Sequence, residues 1–344
     1  MASKLIAPYL FGWLSDHLEK RLIIIQITML LSVITFAGVL PYHSYWWYVA
    51  VMAFFGFFWN ASLPLYESLT LSYLDGNSHR YSHIRLWGSV GFILIVVSLS
   101  FFINQKTDHD YISFLPIIML SLLIANALST LLVKDKIGHS IHNSTIKLSL
   151  ILKSPIVIAF LLVCALQTMS HGTYYTFFSI YLEEHHYSRN MIGVFWALGV
   201  LAEVALFIVV HQFFARLGVC KLFVLALFLT SFRWLILAFW VDNLAILLIS
   251  QLIHAASFGL FHATAIDLTH QFFPGKLHGR GQALYAGLSF GLGGAIGNWL
   301  SGHSWDSIGS TWSFLTSAII ALIGAIIALK YIRKEHLPAY ARKP

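Results

Sequence analysis

KDKIGHSIHNSTIKLSLILK, residues 134–153, is the longest polar interval in a chain that is otherwise a succession of apolar runs. Before it lie runs at roughly 22–41, 45–73, 84–104 and 111–133. After it lie runs at roughly 154–182, 190–214, 221–241, 243–272, 280–301 and 309–331. Each holds at least about 20 mostly apolar residues, which is what about 30 Å of hydrocarbon requires at 1.5 Å per residue. A further run, Leu5–Leu14, is too short to span alone. Composition agrees with this reading. Of 344 residues, 58% are hydrophobic and 10% charged, where a soluble domain carries about 25% charged residues, and the mean hydropathy is +0.76. Such a pool cannot cover the surface of a water-soluble globule, so a soluble enzyme and a nucleic-acid binder are both excluded. Cys164 and Cys220 sit in or beside apolar runs without ligand spacing and are expected to be packing residues.

The basic residues give the interval its side. Alternate loops hold Lys20 and Arg21; Arg80 and Arg85; Lys134, Lys136, Lys147 and Lys153; Arg216 and Lys221; Lys276 and Arg280; and Lys330, Arg333, Lys334, Arg342 and Lys343. These are 17 of the 21 Lys and Arg, while the opposite loops hold only Lys106 and Arg189. By the positive-inside rule the crowded side is cytoplasmic, which explains the net charge of +7 without nucleic acid. The expected protein is a multi-pass, monomeric inner-membrane protein with a cytoplasmic C-terminus. Parity adds an expectation about the start. With Leu5–Leu14 as its first segment the chain would begin outside, so one helix and half of another are expected upstream of an intact twelve-span design. The domains are then 1–133, a first bundle lacking its first helix; 134–153, a cytoplasmic linker; 154–332, a six-helix bundle; and 333–344, a cytoplasmic tail.

Two halves about a linker, with the weak echo of GWLSDHLEKR (12–21) in HQFFARLGVCK (211–221), suit a secondary transporter with a midplane site. No GxxxxGK[ST] is present, so an ion gradient is the expected energy source. GLSFGLGGAIG (287–297) lies inside an apolar run, where glycines permit close helix contact or bending. Nothing calls for a cofactor or a metal.

Ionisable groups in hydrocarbon cost roughly 2.5–3.5 kcal/mol each on insertion scales, so each needs a partner or a task. Glu203 lies 12 residues after Met191, Arg233 12 after Lys221, and His254 11 after Asn243. Three consecutive helices thus carry an acid, a base and an imidazole to similar depth. They form either a static buried pair with a hydrogen-bonded histidine or a proton and substrate site. Desolvation favours a neutral carboxyl and a neighbouring guanidinium favours the ionised one, so relative movement of such a pair couples proton affinity to conformation. Arg233 could also hold an anionic substrate by bidentate hydrogen bonds. Glu67, in SLPLYESLTLSYLDG (62–76), and Arg85, opening RLWGS (85–89), form a second pair, unless Arg85 only marks the membrane boundary. His171, Tyr174 and Tyr175 could line a cavity or belong to an interfacial belt. Gly12, Asp16, Lys20 and Arg21 suit a cytoplasmic gate, with Asp16 near a helix N-terminus. Asp267 and His262 are expected in packing or gating rather than metal binding.

GWLSDHLEKR resembles the cytoplasmic signature of the major facilitator superfamily. More narrowly, SLPLYESLTL, YSHIRLWGSVGFI, HGTYYTFFSIYLEEHHYS, FWALGVLAEVALF, SFRWLIL and QLIHAASFGLFHATA resemble its 3-phenylpropionate permease branch, itself similar to the galactoside/proton symporters. The resemblance implies an all-α membrane protein of two six-helix bundles, here with about eleven segments, the first incomplete. It implies that Glu67 and Arg85 match the acid–arginine pair that holds the sugar. It also implies that Arg233 and His254 match the arginine and histidine of the proton-coupling network. Glu203 falls about one turn beyond that network's acid. Ala256, Ser257 and Phe258 stand where a further acid is expected, which leaves Glu203 as the proton carrier. Phe92 replaces the tryptophan on which the sugar symporters stack their substrate, which disfavours a galactoside. The implied activity is proton-coupled symport of a small organic solute by alternating access, with an aromatic monocarboxylate such as 3-phenylpropionate leading. A sugar or nucleoside symporter, a truncated non-transporting relic and an intramembrane enzyme using His254 and His262 are the alternatives. The implied partners are the solute, protons and the lipid bilayer.

Overall fold

The computed structural model describes residues 3–18, 20–41, 44–73, 78–104, 110–134, 148–274, 277–333, 335 and 337. Among them every regular element is helical. The order is α1 (Ser3–Leu18), α2 (Arg21–Ala37), α3 (Tyr45–Tyr73), α4 (Ser78–Asn104), α5 (Asp110–Ser129), the single turn α6 (Leu148–Leu152), α7 (Pro155–Ser170), α8 (Gly172–Glu184), α9 (Arg189–Leu217), α10 (Val219–Trp240), α11 (Leu244–His254), α12 (Phe261–Phe272), α13 (His278–Ala286), α14 (Gly294–Ile308) and α15 (Ser310–Tyr331). Among the described residues seven helical stretches are long and apolar enough to cross a membrane, and Arg21–Ala37 and Trp87–Phe101 are apolar but shorter. The all-α class expected from the sequence is what the chain adopts. The short run at Leu5–Leu14 belongs to a longer helix, α1. The run at 154–182 is broken at His171 into α7 and α8, and that at 280–301 starts and ends further out, at His278 and Ile308.

Local chemistry sets the ends. Ser188 accepts from the Met191 amide and Asn243 from the Ile246 amide, capping α9 and α11. Gly218 and Gly309, at φ of 77° and 85°, make the tight junctions before α10 and α15, a backbone state that glycine adopts without steric cost. On α10, Leu225, Phe228, Phe232 and Phe239 are exposed while Phe223, Ala226, Leu227, Thr230 and Arg233 are buried. The helix therefore turns an apolar face outward, as a lipid solvent favours, and an inner face carrying polar groups towards its neighbours.

The chain divides into two compact units. The first contains residues 1–85 and 103–140; its core gathers Leu22, Ile25, Met29, Leu65 and Leu69, with a second cluster of Phe36, Phe55 and Leu123. The second contains residues 86–102 and 141–344. Residues 86–102 of α4 thus pack with the later helices, where Ser100 lies against Gly193 of α9. Residues 135–147 of the expected linker and 338–344 of the expected tail lie outside the described residues.

The second unit is layered along its helices. One apolar cluster holds Phe160, Cys164, Phe223, Leu227, Phe261, Leu268, Ala325 and Ala328. Another holds Tyr174, Phe178, Trp234, Leu237, Leu247, Phe314 and Ala318. Between them, on α7, α10 and the α11–α12 stretch, lie buried Gln167, Ser170, Thr230, Arg233, Ser250, Gln251, His254 and Ser257. Two π-helical turns, Ala255–Leu260 and Gly287–Gly293, adjoin this layer. A Cβ on Gly293 or Gly297 would lie 2.4 Å from the Ala165 or Met169 carbonyl oxygen. The glycine-rich run therefore allows backbone-close contact with α7, as its composition suggested.

Candidate functional site

Arg233, from α10, is fully buried at the centre of the polar layer. Its Nε donates to the Ser250 carbonyl at 2.8 Å, Nη1 to His254 Nδ1 at 3.0 Å and Ser257 Oγ at 3.2 Å, and Nη2 to Gln251 Oε1 at 3.4 Å. The ring of Tyr174 covers one side, 4.2 Å from Cζ, and that of Trp234 lies 4.7 Å away. Hydrogen bonds and aromatic faces together replace the hydration that burial removes. Tyr174 is fixed in turn by its own hydroxyl, which donates to Gln251 Oε1 at 3.0 Å.

The partner of His254 fixes its neutral tautomer. A guanidinium can only donate, so Nδ1 accepts from Arg233 and the neutral ring carries its proton on Nε2. That nitrogen faces Glu203, with Oε2 at 3.9 Å. Glu203 stands at the midpoint of α9, and its side chain is only 13% exposed. The distance exceeds a hydrogen bond but is within ion-pair range. His254 therefore stands between guanidinium and carboxylate, with one ring nitrogen turned to each. The backbones admit this because glycine stands opposite each group. A Cβ on Gly199 would lie 3.2 Å from His254 Cδ2, and one on Gly259 would lie 2.9 Å from Glu203 Cγ.

The structure brings Glu203, Arg233, His254 and Tyr174 together. The other site residues named from the sequence are distributed. Tyr175 is 46% exposed and lies beside His171 on a small cavity. The side chain of Glu67 is exposed on α3, in the first unit, and Phe92, also exposed, is in the part of α4 that packs with the second. The side chains of Arg85 and Asp16 lie outside the described residues. Gly12 is on α1, Lys20 is exposed just before α2, and Arg21 opens α2. Asp267, on α12, accepts from Gln271 Nε2 at 2.6 Å. Gln251 and Ser257 were missed by sequence reasoning, although they flank His254 at i−3 and i+3, and Gln167 was missed with them. The signal was polar residues recurring at helical spacing within apolar runs, QTMSH and QLIHAAS.

With this geometry established, comparison decides the family. The sequence pattern of the MFS_1 like family matches residues 1–316. The chain belongs to that family. A protein of Escherichia coli (strain K12) described as a probable 3-phenylpropionic acid transporter is 26% identical over 339 residues, spanning 96% of this chain and 85% of that protein. The transporter YwbF of Bacillus subtilis (strain 168) is 22% identical over 346 residues, spanning 97% and 84%. The maltose permease of Geobacillus stearothermophilus is 24% identical over 341 residues, spanning 96% and 82%. Among solved structures, a crystal structure of the nucleoside transporter NupG superposes with a TM-score of 0.78 at 14% identity, covering 96% of this chain and 89% of that one. The human organic anion transporter MFSD10 gives 0.61 at 15% identity, covering 95% and 81%. The structural likenesses show the fold. Together with the family match, they make the chain a multi-pass membrane transporter of the major facilitator superfamily, acting on a small molecule and not an enzyme.

Proposed function

We propose that this transporter couples proton movement to the uptake of a small organic solute by alternating access, with Glu203, His254 and Arg233 as its proton-coupling set. The observation that carries the reading is the Arg233–His254–Glu203 chain in the buried polar layer, with Nδ1 on the guanidinium and Nε2 facing the carboxylate. Glu203 accepts a proton, His254 relays or senses it, and Arg233 favours whichever state leaves a negative charge nearby. Ser257 stands one turn after His254, where the related symporters carry an acid, and it satisfies Arg233 instead of carrying charge. That leaves Glu203 as the carrier.

An aromatic monocarboxylate such as 3-phenylpropionate is the leading solute, supported by the 26% identical relative and by the aromatic lining around Arg233. Of the five guanidinium N–H groups, the described contacts engage four. A carboxylate bound through two parallel hydrogen bonds needs a second donor beside the remaining one, and the Gln251 contact, the longest, is the one it would displace. Glu67, Arg85, Phe92, Tyr174 and Tyr175 complete the solute path in this reading. Gly12, Asp16, Lys20, Arg21 and Asp267 form a cytoplasmic gate, and the C-terminus faces the cytoplasm of the inner membrane. The chain acts as a monomer. A sugar or nucleoside is the second reading, favoured by the maltose permease and NupG likenesses. The test is proton flux in proteoliposomes. Adding outside solute to vesicles without a pH gradient should acidify the lumen, and a protonophore should abolish accumulation. Accumulation that survives the protonophore would remove the coupling assignment.

A further inference from the structure

Beside the proposed coupling set, α7, α8, α12, α13 and the two π-helical turns line a partly open cavity of ≈ 20 Å³, room for one water-sized group. Gln167 and His171 line it, each only 2% exposed, and each holds a buried polar atom with no partner among the described residues, Gln167 Oε1 and His171 Nε2. The hydrogen-bond chemistry fixes what those atoms are. Gln167 Nε2 donates to Thr230 Oγ1 at 2.9 Å and to the Ser257 carbonyl at 2.7 Å. A carbonyl can only accept, so the amide cannot be the other way round, and Oε1 is an acceptor. His171 Nδ1 lies 2.9 Å from the Gln167 carbonyl, so in the neutral ring it carries the proton and Nε2 is a lone-pair acceptor. Thr230 cannot turn to help, because its hydroxyl already donates to the Ala226 carbonyl. The residues that line the cavity thus hold two buried acceptors; of the other liners Thr168 donates to the Cys164 carbonyl, His262 pairs with the Tyr285 hydroxyl, and Tyr175, Phe258, Phe261 and Phe290 supply aromatic rings.

A carboxylate accepts and cannot donate, so it meets neither atom's need; a hydroxyl donates its one proton to either of them, and its size fits the space. We propose that Gln167 and His171 form an acceptor subsite for a hydroxyl group of the transported solute, which therefore bears at least one hydroxyl. The inference deepens the transport reading given above and rests on it, but it stands whether that solute is acidic or neutral. The subsite selects by the mechanism through which buried groups built to bond a hydroxyl reject an analogue that lacks it: the analogue leaves them unpaired. It is also tied to the coupling set. Ser257 gives its carbonyl to Gln167 and its hydroxyl to Arg233.

The test uses purified full-length protein in nanodiscs and two ligand pairs. One pair is 3-(3-hydroxyphenyl)propionate against 3-phenylpropionate; the other is uridine against 2′,3′-dideoxyuridine. Binding is read by calorimetry. The hydroxylated member of at least one pair should bind tenfold or more tightly, and His171→Phe should reduce that ratio to within about twofold. Gln167→Met serves as a second variant should His171→Phe fail to fold. Equal binding within both pairs would overturn the subsite and leave the cavity as a water site. So would a preference that survives both substitutions, or no binding by either hydroxylated ligand. Discrimination in the uridine pair without any binding of the acids would sink the carboxylate reading while leaving the subsite in place.

Discussion

Arg233 shows how a charge is kept inside an apolar bundle. Its donors meet the carbonyl of Ser250, a ring nitrogen, a hydroxyl and an amide oxygen, while Tyr174 lies across its face. Lysine cannot reproduce this, since its ammonium is a point charge without the planar fork. Gln251 Oε1 keeps the Tyr174 hydroxyl, but Arg233→Lys cannot reach the Ser250 carbonyl, His254 Nδ1 and Ser257 Oγ together, and should cost about 1–3 kcal/mol for each buried group left unsatisfied. The expected readout is a clearly lowered unfolding temperature in detergent, together with lost uptake. An unchanged unfolding temperature would contradict the arrangement. Glu203→Gln differs in kind, because it preserves shape and removes the titration. Downhill exchange of solute should persist while uphill accumulation disappears, as measured by counterflow against pH-driven uptake. Intact accumulation would transfer the proton to another group. That Glu203, Arg233 and His254 fall at one level of their helices was legible by counting from the helix ends, because rise per residue converts sequence distance into axial position. That His254 stands between the other two was not, since rotation about a helix axis depends on which faces pack.

Glycines set how closely the helices of the second unit approach. At Gly297 a methyl group would meet the backbone of Met169 at 2.4 Å, which no side-chain rotation relieves. Gly294, three residues earlier, would meet only Thr168 Cγ2 at an ordinary 3.7 Å. Gly297→Ala should therefore force α14 from α7 and cost about 1–3 kcal/mol, as overpacking does. Gly294→Ala should be neutral or stabilising by up to about 1 kcal/mol through helix propensity. Thermal unfolding of the two variants in one detergent separates them, and equal midpoints would contradict the close contact. Gly259→Ala is subtler. Its Cβ would press on Glu203 Cγ, so it should disturb coupling more than folding, seen as a lower ratio of accumulated to exchanged solute. The glycine-rich run was visible in the sequence, and its contact role followed from its apolar setting. The π-helical turns at Ala255–Leu260 and Gly287–Gly293 were not visible, because the extra residue in such a turn leaves the apolar pattern on either side intact.

At the scale of the molecule, composition and charge placement made the fold class legible, because a bilayer admits few solutions and satisfying backbone groups within helices is one of them. The association of residues 86–102 with the later helices was not legible, since it depends on tertiary contact alone. The proposed orientation rests on the same charge bias and would give the proposed coupling its direction. Lys153 precedes α7, and Ser188 follows the 30-residue stretch Pro155–Glu184, which is long enough to cross the hydrocarbon. In the proposed orientation the two positions lie on opposite sides, Lys153 on the basic side taken as cytoplasmic. Cys164 and Cys220 are buried, so the native background should be low for thiol chemistry. On intact cells a membrane-impermeant maleimide should label Ser188→Cys and spare Lys153→Cys until the membrane is opened. The reverse pattern would place the α9 N-terminus inside. A proton entering from outside would then reach Glu203 along the other half of α9, and the gate assigned to Asp267 and Arg21 would face the wrong compartment.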